Sequence, residues 1–98
     1  MADERPPETR ARFTIRGRVQ GVGYRWWTMR VARELGITAG WVTNLPDGGV
    51  EVVATGTPDA VAKLEERLAE GPRGARVEGV EKMLISHEVY VSNSFIIK

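Results

Sequence analysis

The chain has 98 residues and no cysteine, and its 14 basic residues nearly balance 13 acidic ones, which leaves a net charge of +1. This length predicts a single domain with a modest core. The lack of cysteine excludes disulfides, thiolate metal sites and thiol nucleophiles, and the charge balance does not call for nucleic acid or an anionic membrane. No apolar run approaches the ~20 residues that cross a bilayer. We therefore expect a cytoplasmic, monomeric, globular protein.

The N-terminal segment, residues 1–10, is predicted to be a flexible tail. It is polar, contains proline and has none of the apolar core that defines a signal peptide. Such segments are usually solvated and stay outside the fold. We expect the folded domain to comprise residues 11–98.

A strand and then a helix are predicted after the tail. Apolar and polar residues alternate strictly over residues 13–19, which is the period of a half-buried strand. Residues 25–35 have the spacing of a helix with one buried face, carried by Trp27, Val31 and Leu35. Gly36 follows at the position where glycine commonly ends a helix.

The middle of the chain predicts a β-hairpin. Residues 38–44 and 50–55 are rich in residues that favour strands, and Pro46, Asp47 and Gly48 lie between them. Proline presets one backbone angle of a turn, and Asp-Gly favours a tight reversal of the chain. The two strands are therefore expected to pair with each other.

The last third of the chain predicts a second helix and two more strands. Thr57 is placed as an N-cap, Pro58 as the first helical residue and Asp59 as a first-turn acid. The apolar face of this helix is formed by Val61, Leu64 and Leu68, and the helix stops at residues 71–74. Strands are predicted at residues 76–85 and 95–97. The order β-α-β-β-α-β predicts an α+β, ferredoxin-like split βαβ sandwich, with an antiparallel sheet and both helices on one face.

Residues 17–25, which join the first strand to the first helix, carry the most informative pattern. Gly21 and Gly23 allow the backbone to turn tightly and bring its N–H groups toward one point. The start of the helix adds unpaired N–H groups and a positive dipole end, and Arg25 adds a cation. These donors indicate a pocket for phosphate, although taken alone such a loop is more often a plain connection. The pattern is neither a Walker A motif nor a dinucleotide fingerprint.

A second segment, residues 40–48, supports the phosphate interpretation. In the predicted topology the end of the second strand lies near the start of the first helix, and Asn44 stands at that end. A carboxamide donates and accepts hydrogen bonds at once. Asn44 is therefore a candidate for holding a water beside an anion bound at Arg25. Taken alone, Asn44 is more simply interpreted as a turn residue.

The two segments together resemble the signatures of the acylphosphatase family: residues 17–25 read GRVQGVGYR, and residues 40–48 read GWVTNLPDG. The resemblance extends over residues 12–98, including the order of strands and helices. It implies a hydrolase that cleaves the carboxyl-phosphate bond of acyl phosphates to a carboxylate and orthophosphate, without a metal or a cofactor.

The resemblance also implies roles for individual residues. Asn44 would orient the attacking water, and Arg25 would bind the phosphate together with the amides of the preceding loop. The residues implied to bind phosphate are Gln20, Gly21, Val22, Gly23, Tyr24 and Arg25. The chain departs from the family pattern at Trp26–Trp27 and at residues 95–98, which bear on packing and not on this site.

The alternative function is that of a binding module, for RNA or for a small anionic ligand, on the same fold. Sheets of this kind that bind RNA stack bases on aromatic side chains of their central strands. Residues 50–54 contain no aromatic residue, so we expect a small acyl phosphate as partner and no nucleic acid. An acylphosphatase-like domain also occurs within carbamoyl-transfer enzymes, but we expect a free enzyme here.

Other polar and aromatic residues have plainer interpretations. His87 is interpreted as a surface residue, which leaves a Ser-His-Asp arrangement without support. Asp47 and Glu51 are interpreted as turn and solvated-strand residues and not as a catalytic pair. Packing is favoured over a stacking platform for the tryptophans, Trp26, Trp27 and Trp41. The arginines on the outer face of the first strand are either solvated or steer anionic substrates: Arg12, Arg16 and Arg18.

Overall fold

The computed structural model describes residues 8–86 and 93–98, and this part of the chain contains two helices and five strands. In chain order they are β1 (Thr9–Arg18), α1 (Tyr24–Glu34), β2 (Ala39–Asn44), β3 (Val50–Gly56), α2 (Pro58–Glu70), β4 (Arg76–Leu84) and β5 (Phe95–Ile97). All the predicted elements are present, with ends shifted by a few residues at most. His87 and most of the predicted tail lie outside the described residues.

The strands form one sheet in the order β4-β1-β3-β2-β5. The first four strands pair antiparallel, as the split βαβ pattern predicts, with β1 and β3 in the centre. The small extra strand, β5, extends this sheet at one edge, where it pairs parallel to β2. β5 runs opposite to β4 and therefore in the same direction as β2, so the sheet is mixed.

Both helices pack on one face of the sheet and close a single core. α1 contacts β2 and β5, α2 contacts β1, β3 and β4, and the two helices contact each other. The alternation predicted for β1 puts Phe13 and Ile15 on this inner face, and the longer observed strand adds Ala11; all three are fully buried. Each helix adds a buried stripe: Tyr24, Thr28, Val31 and Ala32 from α1, and Ala60, Val61, Leu64 and Leu68 from α2.

Several boundaries and faces differ from the sequence prediction. β1 begins at Thr9, because Thr9 and Arg10 still pair with the end of β3, opposite Gly56 and Thr55. The apolar position predicted at Leu84 is 68% exposed, since β4 is an edge strand that ends there. Neither helix in the described part of the chain has the length and apolar character needed to cross a membrane.

Candidate active site

The two helices begin in different ways. α2 has a conventional start: the hydroxyl of Thr57 accepts a hydrogen bond from the Ala60 N–H at 3.1 Å, and Asp59 lies in the first turn. At the start of α1 the N-cap is Gly23, with no side-chain cap and no acidic residue in the first turn. Because no side chain caps this end of α1 in the described part of the chain, and its first turn holds no acid, its N–H groups and positive dipole are available to an anion.

The loop before α1 requires glycine because of its backbone angles, and not because a larger side chain would clash. Gly21 and Gly23 have φ angles of 75° and 78°, in the left-handed region that favours glycine. A Cβ atom built on either residue would meet no atom within 4 Å. Across residues 8–86 and 93–98, no protein group accepts a hydrogen bond from the backbone N–H groups of residues 21–26. The loop therefore presents a run of unpaired donors.

Residues of this loop and of the first turn of α1 line a small cavity of about 200 Å³. Arg25 is partly buried at its wall, and its guanidinium makes no ion pair or hydrogen bond with any other described residue. Asn44 reaches the same cavity from the end of β2. No acidic side chain stands among the described residues of its lining, which are Val19, Gly21, Gly23, Tyr24, Arg25, Trp26 and Asn44. The arrangement is suited to a small anion with a polar amide beside it.

The side chain of Gln20 ties the loop to the β2–β3 turn. Its amide nitrogen donates hydrogen bonds to the carbonyl oxygens of Leu45 and Gly49, both at 2.8 Å. The turn is also closed by its own backbone, with the Leu45 N–H donating to the Gly49 carbonyl at 2.8 Å. Since Asn44 immediately precedes this turn, Gln20 fixes the position of Asn44 relative to the loop.

The structure brings together most of the residues that the sequence singled out. Gly21, Gly23, Tyr24, Arg25 and Asn44 line one cavity. Gln20 and Val22 are not among the described residues of its lining: Gln20 points to the turn, and Val22 packs against the core.

Sequence reasoning missed two residues of the cavity lining, Val19 and Trp26. Val19 ends the alternation of the first strand, and its burial was predictable. Trp26 directly follows Arg25 on the helix, and its helical position was the available signal.

Tyr24 contributes to the site through its position and not through its phenol. The ring is buried in the core, and the hydroxyl donates a hydrogen bond to the Leu68 carbonyl oxygen at 2.8 Å. Burial raises the pKa of the Tyr24 phenol well above its ordinary value. The phenol therefore stays protonated and bound to α2, which makes it unsuited to proton transfer at neutral pH.

The remaining candidates lie in structural contacts. The Asp47 carboxylate accepts a hydrogen bond from the Gly49 N–H at 3.0 Å and pairs with Arg16. The Gly49 hydrogen bond, followed by the Arg16 contact, lowers the pKa of Asp47. Glu51 accepts a hydrogen bond from the Trp41 indole at 3.0 Å and lies 3.7 Å from the Arg12 guanidinium. These contacts agree with turn and strand roles for the two acids.

The comparisons with known proteins all indicate the same protein family. The family model described as Acylphosphatase matches residues 11–97. An acylphosphatase of Nitrobacter hamburgensis is 56% identical over 69 residues, which are 70% of this chain and 69% of that protein. The solved acylphosphatase of Coxiella burnetii has a TM-score of 0.84 and 42% identity, covering 93% of both chains. That of Bacillus subtilis has a TM-score of 0.84 and 31% identity, covering 91% of this chain and 97% of its own.

The match covers the fold and both segments that form the cavity. The chain therefore belongs to the acylphosphatase family and is an enzyme that hydrolyses acyl phosphates.

Proposed function

We propose that the cavity at the start of α1 is the catalytic site, with Arg25 and the loop amides binding the phosphoryl group and Asn44 orienting the attacking water. One observation carries this proposal: Arg25 and Asn44 line the same cavity of about 200 Å³ as a loop whose N–H groups have no acceptor in the described part of the protein. The planar guanidinium binds two phosphoryl oxygens, and the loop amides bind the others. A phosphoryl group is thereby fixed between the helix start and Asn44.

The reaction requires positioning and charge stabilisation more than acid–base chemistry. The water oxygen forms a bond to phosphorus as the bond from phosphorus to the carboxyl oxygen breaks. The carboxylate departs with the electron pair, and it needs little protonation because it is a good leaving group. Negative charge on the phosphoryl oxygens is stabilised by Arg25 and the amides. The water proton passes to an oxygen of the substrate, since no described residue of the cavity lining is suited to act as a general base at neutral pH.

We further propose that the enzyme needs neither a metal nor a cofactor, because the guanidinium and amides supply the charge that a metal would otherwise provide. We propose a cytoplasmic monomer, with a small acyl phosphate as its partner. The Trp41 ring on the open face of the sheet lies 4.3 Å from the Lys98 ammonium, which leaves less of it for base stacking and supports the expectation of no nucleic acid.

Substitutions at Arg25 and Asn44 test the assignment of the site. Arg25→Ala should lower kcat/KM by about 10³-fold or more, because it removes the only side-chain cation of the cavity lining that the structure describes. Arg25→Lys should also have a low kcat/KM, since a lysine offers one point charge in place of a planar guanidinium that can bind two oxygens. Asn44→Ala should lower kcat by roughly 10²-fold while changing the inhibition constant for orthophosphate much less.

Matched controls are Arg76→Ala and Asn93→Ala, which change exposed residues that do not line the cavity. Melting temperatures measured on the same preparations separate loss of catalysis from loss of folding. A near-native rate for Arg25→Ala would exclude Arg25 from the site. An unchanged kcat with a lowered melting temperature for Asn44→Ala would leave Asn44 as a turn residue.

A further inference from the structure

A larger groove adjoins the phosphate cavity. It has a volume of about 880 Å³ and runs along α1, with residues 71–73 of the loop after α2 forming its other side. Gly23 and Trp26 belong to the lining of both cavities. The groove therefore begins where the phosphate cavity ends, and the part of a substrate that extends from a bound phosphoryl group has this groove as its neighbour.

Trp26 forms an exposed aromatic wall at that junction. It is 67% exposed, whereas its neighbour Trp27 packs against the Tyr24 ring at 5.3 Å between centroids. A large apolar side chain left open at the mouth of a cavity is suited to cover the carbon skeleton of a ligand. Both tryptophans line the groove, but Trp27 is also packed against the core, and Trp26 is the one that remains largely exposed.

Positive charge dominates the groove beyond Trp26. Three arginines line it, Arg30, Arg33 and Arg73, against a single acid, Glu34. None of the three arginines forms an ion pair or side-chain hydrogen bond with any residue of 8–86 or 93–98. Arg30 lies one helical turn beyond Trp26, about 6 Å further along the axis of α1. Arg73 stands on the opposite side, in the loop after α2.

We propose that this groove binds the acyl group of the substrate and favours acyl phosphates that carry a second anionic group. Trp26 covers the carbon skeleton next to the scissile bond, and Arg30 and Arg73 bind the distal anion from the two sides of the groove. The inference rests on the proposed function, because it requires the phosphoryl group to lie at Arg25. The preferred substrate class is an acyl phosphate whose acyl part ends in a carboxylate or a phosphate.

A rigid pair of substrates tests the distal anion. 4-Carboxybenzoyl phosphate and 4-methylbenzoyl phosphate differ only in the para group, and acetyl phosphate serves as a substrate too short to reach the arginines. The ratio of kcat/KM for the carboxy and methyl substrates is measured for each variant, so that intrinsic reactivity cancels between variants. Arg30→Gln and Arg73→Gln should each lower this ratio about fivefold, the scale of losing one exposed ion pair.

Controls separate the groove from the catalytic site. Arg76→Gln removes an exposed arginine that does not line the groove, and it should leave the ratio unchanged. Arg30→Gln and Arg73→Gln should hydrolyse acetyl phosphate within about twofold of the native rate, as expected for surface substitutions. Trp26→Ala should lower kcat/KM for both benzoyl substrates about tenfold relative to kcat/KM for acetyl phosphate.

The outcomes distinguish this inference from the proposed function. An unchanged ratio in both arginine variants overturns the anion preference, and selective loss of benzoyl substrates in Trp26→Ala would then indicate a purely aromatic groove. An equal fall in kcat/KM for all three substrates in the arginine variants would indicate a damaged catalytic site and would also contradict the inference. Native hydrolysis of acetyl phosphate by Arg25→Ala would instead overturn the proposed function, whatever the ratio.

Discussion

Gln20 offers the sharpest test of how the fold positions the proposed site, because one side chain joins the loop before α1 to the turn beside Asn44. Gln20→Met keeps most of the length and volume of the side chain but removes the two hydrogen bonds of 2.8 Å to Leu45 and Gly49. Both carbonyl oxygens keep another donor, from Gly48 at 3.2 Å and from Leu45 at 2.8 Å. The substitution therefore removes two contacts without leaving either carbonyl unpaired.

The expected loss of stability follows from those two contacts. Each is worth roughly 0.5–1.5 kcal/mol net, so the free energy of unfolding should fall by about 1–3 kcal/mol. For a domain of this size, 1 kcal/mol corresponds to a shift in Tm of roughly 4–8 °C. We therefore expect the Tm of Gln20→Met to fall by roughly 4–24 °C.

The effect on catalysis should be larger on kcat than on phosphate binding. The Arg25 guanidinium and the loop amides are retained, whereas Asn44 loses its link to them. A displacement of about 1 Å at a reacting group costs up to 10²-fold in rate, and we expect a fall in kcat of about tenfold. The inhibition constant for orthophosphate should change by about twofold or less.

Thr57→Ala is the matched control for stability. It removes the N-cap of α2, a hydrogen bond of 3.1 Å to the Ala60 N–H, and should cost about 1 kcal/mol. Thr57 is not part of the cavity lining, so this variant should melt lower and keep the native kcat. Thermal unfolding, kcat and phosphate inhibition are measured on each preparation. A Gln20→Met variant with a native kcat, however low its Tm, would refute the positioning argument.

Two further predictions concern metal dependence and the buried phenol. Hydrolysis of benzoyl phosphate should persist in excess chelator, and loss of activity that Mg²⁺ or Zn²⁺ restores would contradict the mechanism. Tyr24→Phe removes the hydrogen bond to Leu68 and should lower stability by about 1 kcal/mol with unchanged phosphate inhibition. Burial raises the pKa of Tyr24 above its ordinary 10.0, so its contribution to stability is complete below pH 10.0 and declines above it. Melting curves from pH 9 to 11 should show a shallower alkaline decline for Tyr24→Phe.

The fold was largely predictable because local patterns and topology agree. The alternation in β1, the Pro-Asp-Gly turn and the Thr57 cap each specify one element, and their order allows few arrangements. The direction of β5 was not predictable in the same way. It has only three residues, and its pairing with β2 is a tertiary contact that no local pattern encodes.

The hydrogen-bond donors of the candidate site were predictable from the sequence, but the contacts that hold them in place were not. Gly21, Gly23 and Arg25 are adjacent in sequence, so their convergence follows from one loop and one helix start. Gln20 donates hydrogen bonds to Leu45 and Gly49, which lie 25 and 29 positions further along the chain, and nothing in the local sequence indicates these contacts. The contrast between Trp26 and Trp27 arises because neighbouring helical residues point about 100° apart, which puts only one of them against the core.

The start of α1 keeps its N–H groups uncapped without losing the helix. A missing N-cap costs roughly 1 kcal/mol, and α2 avoids that cost with Thr57. α1 instead begins with Tyr24, whose buried ring and hydrogen bond to Leu68 attach its first residue to α2. A cap would occupy the N–H groups that we propose bind the phosphoryl group, whereas an anchor through a side chain leaves them free. The helix is therefore held by its tertiary contacts at the end that lines the proposed catalytic cavity.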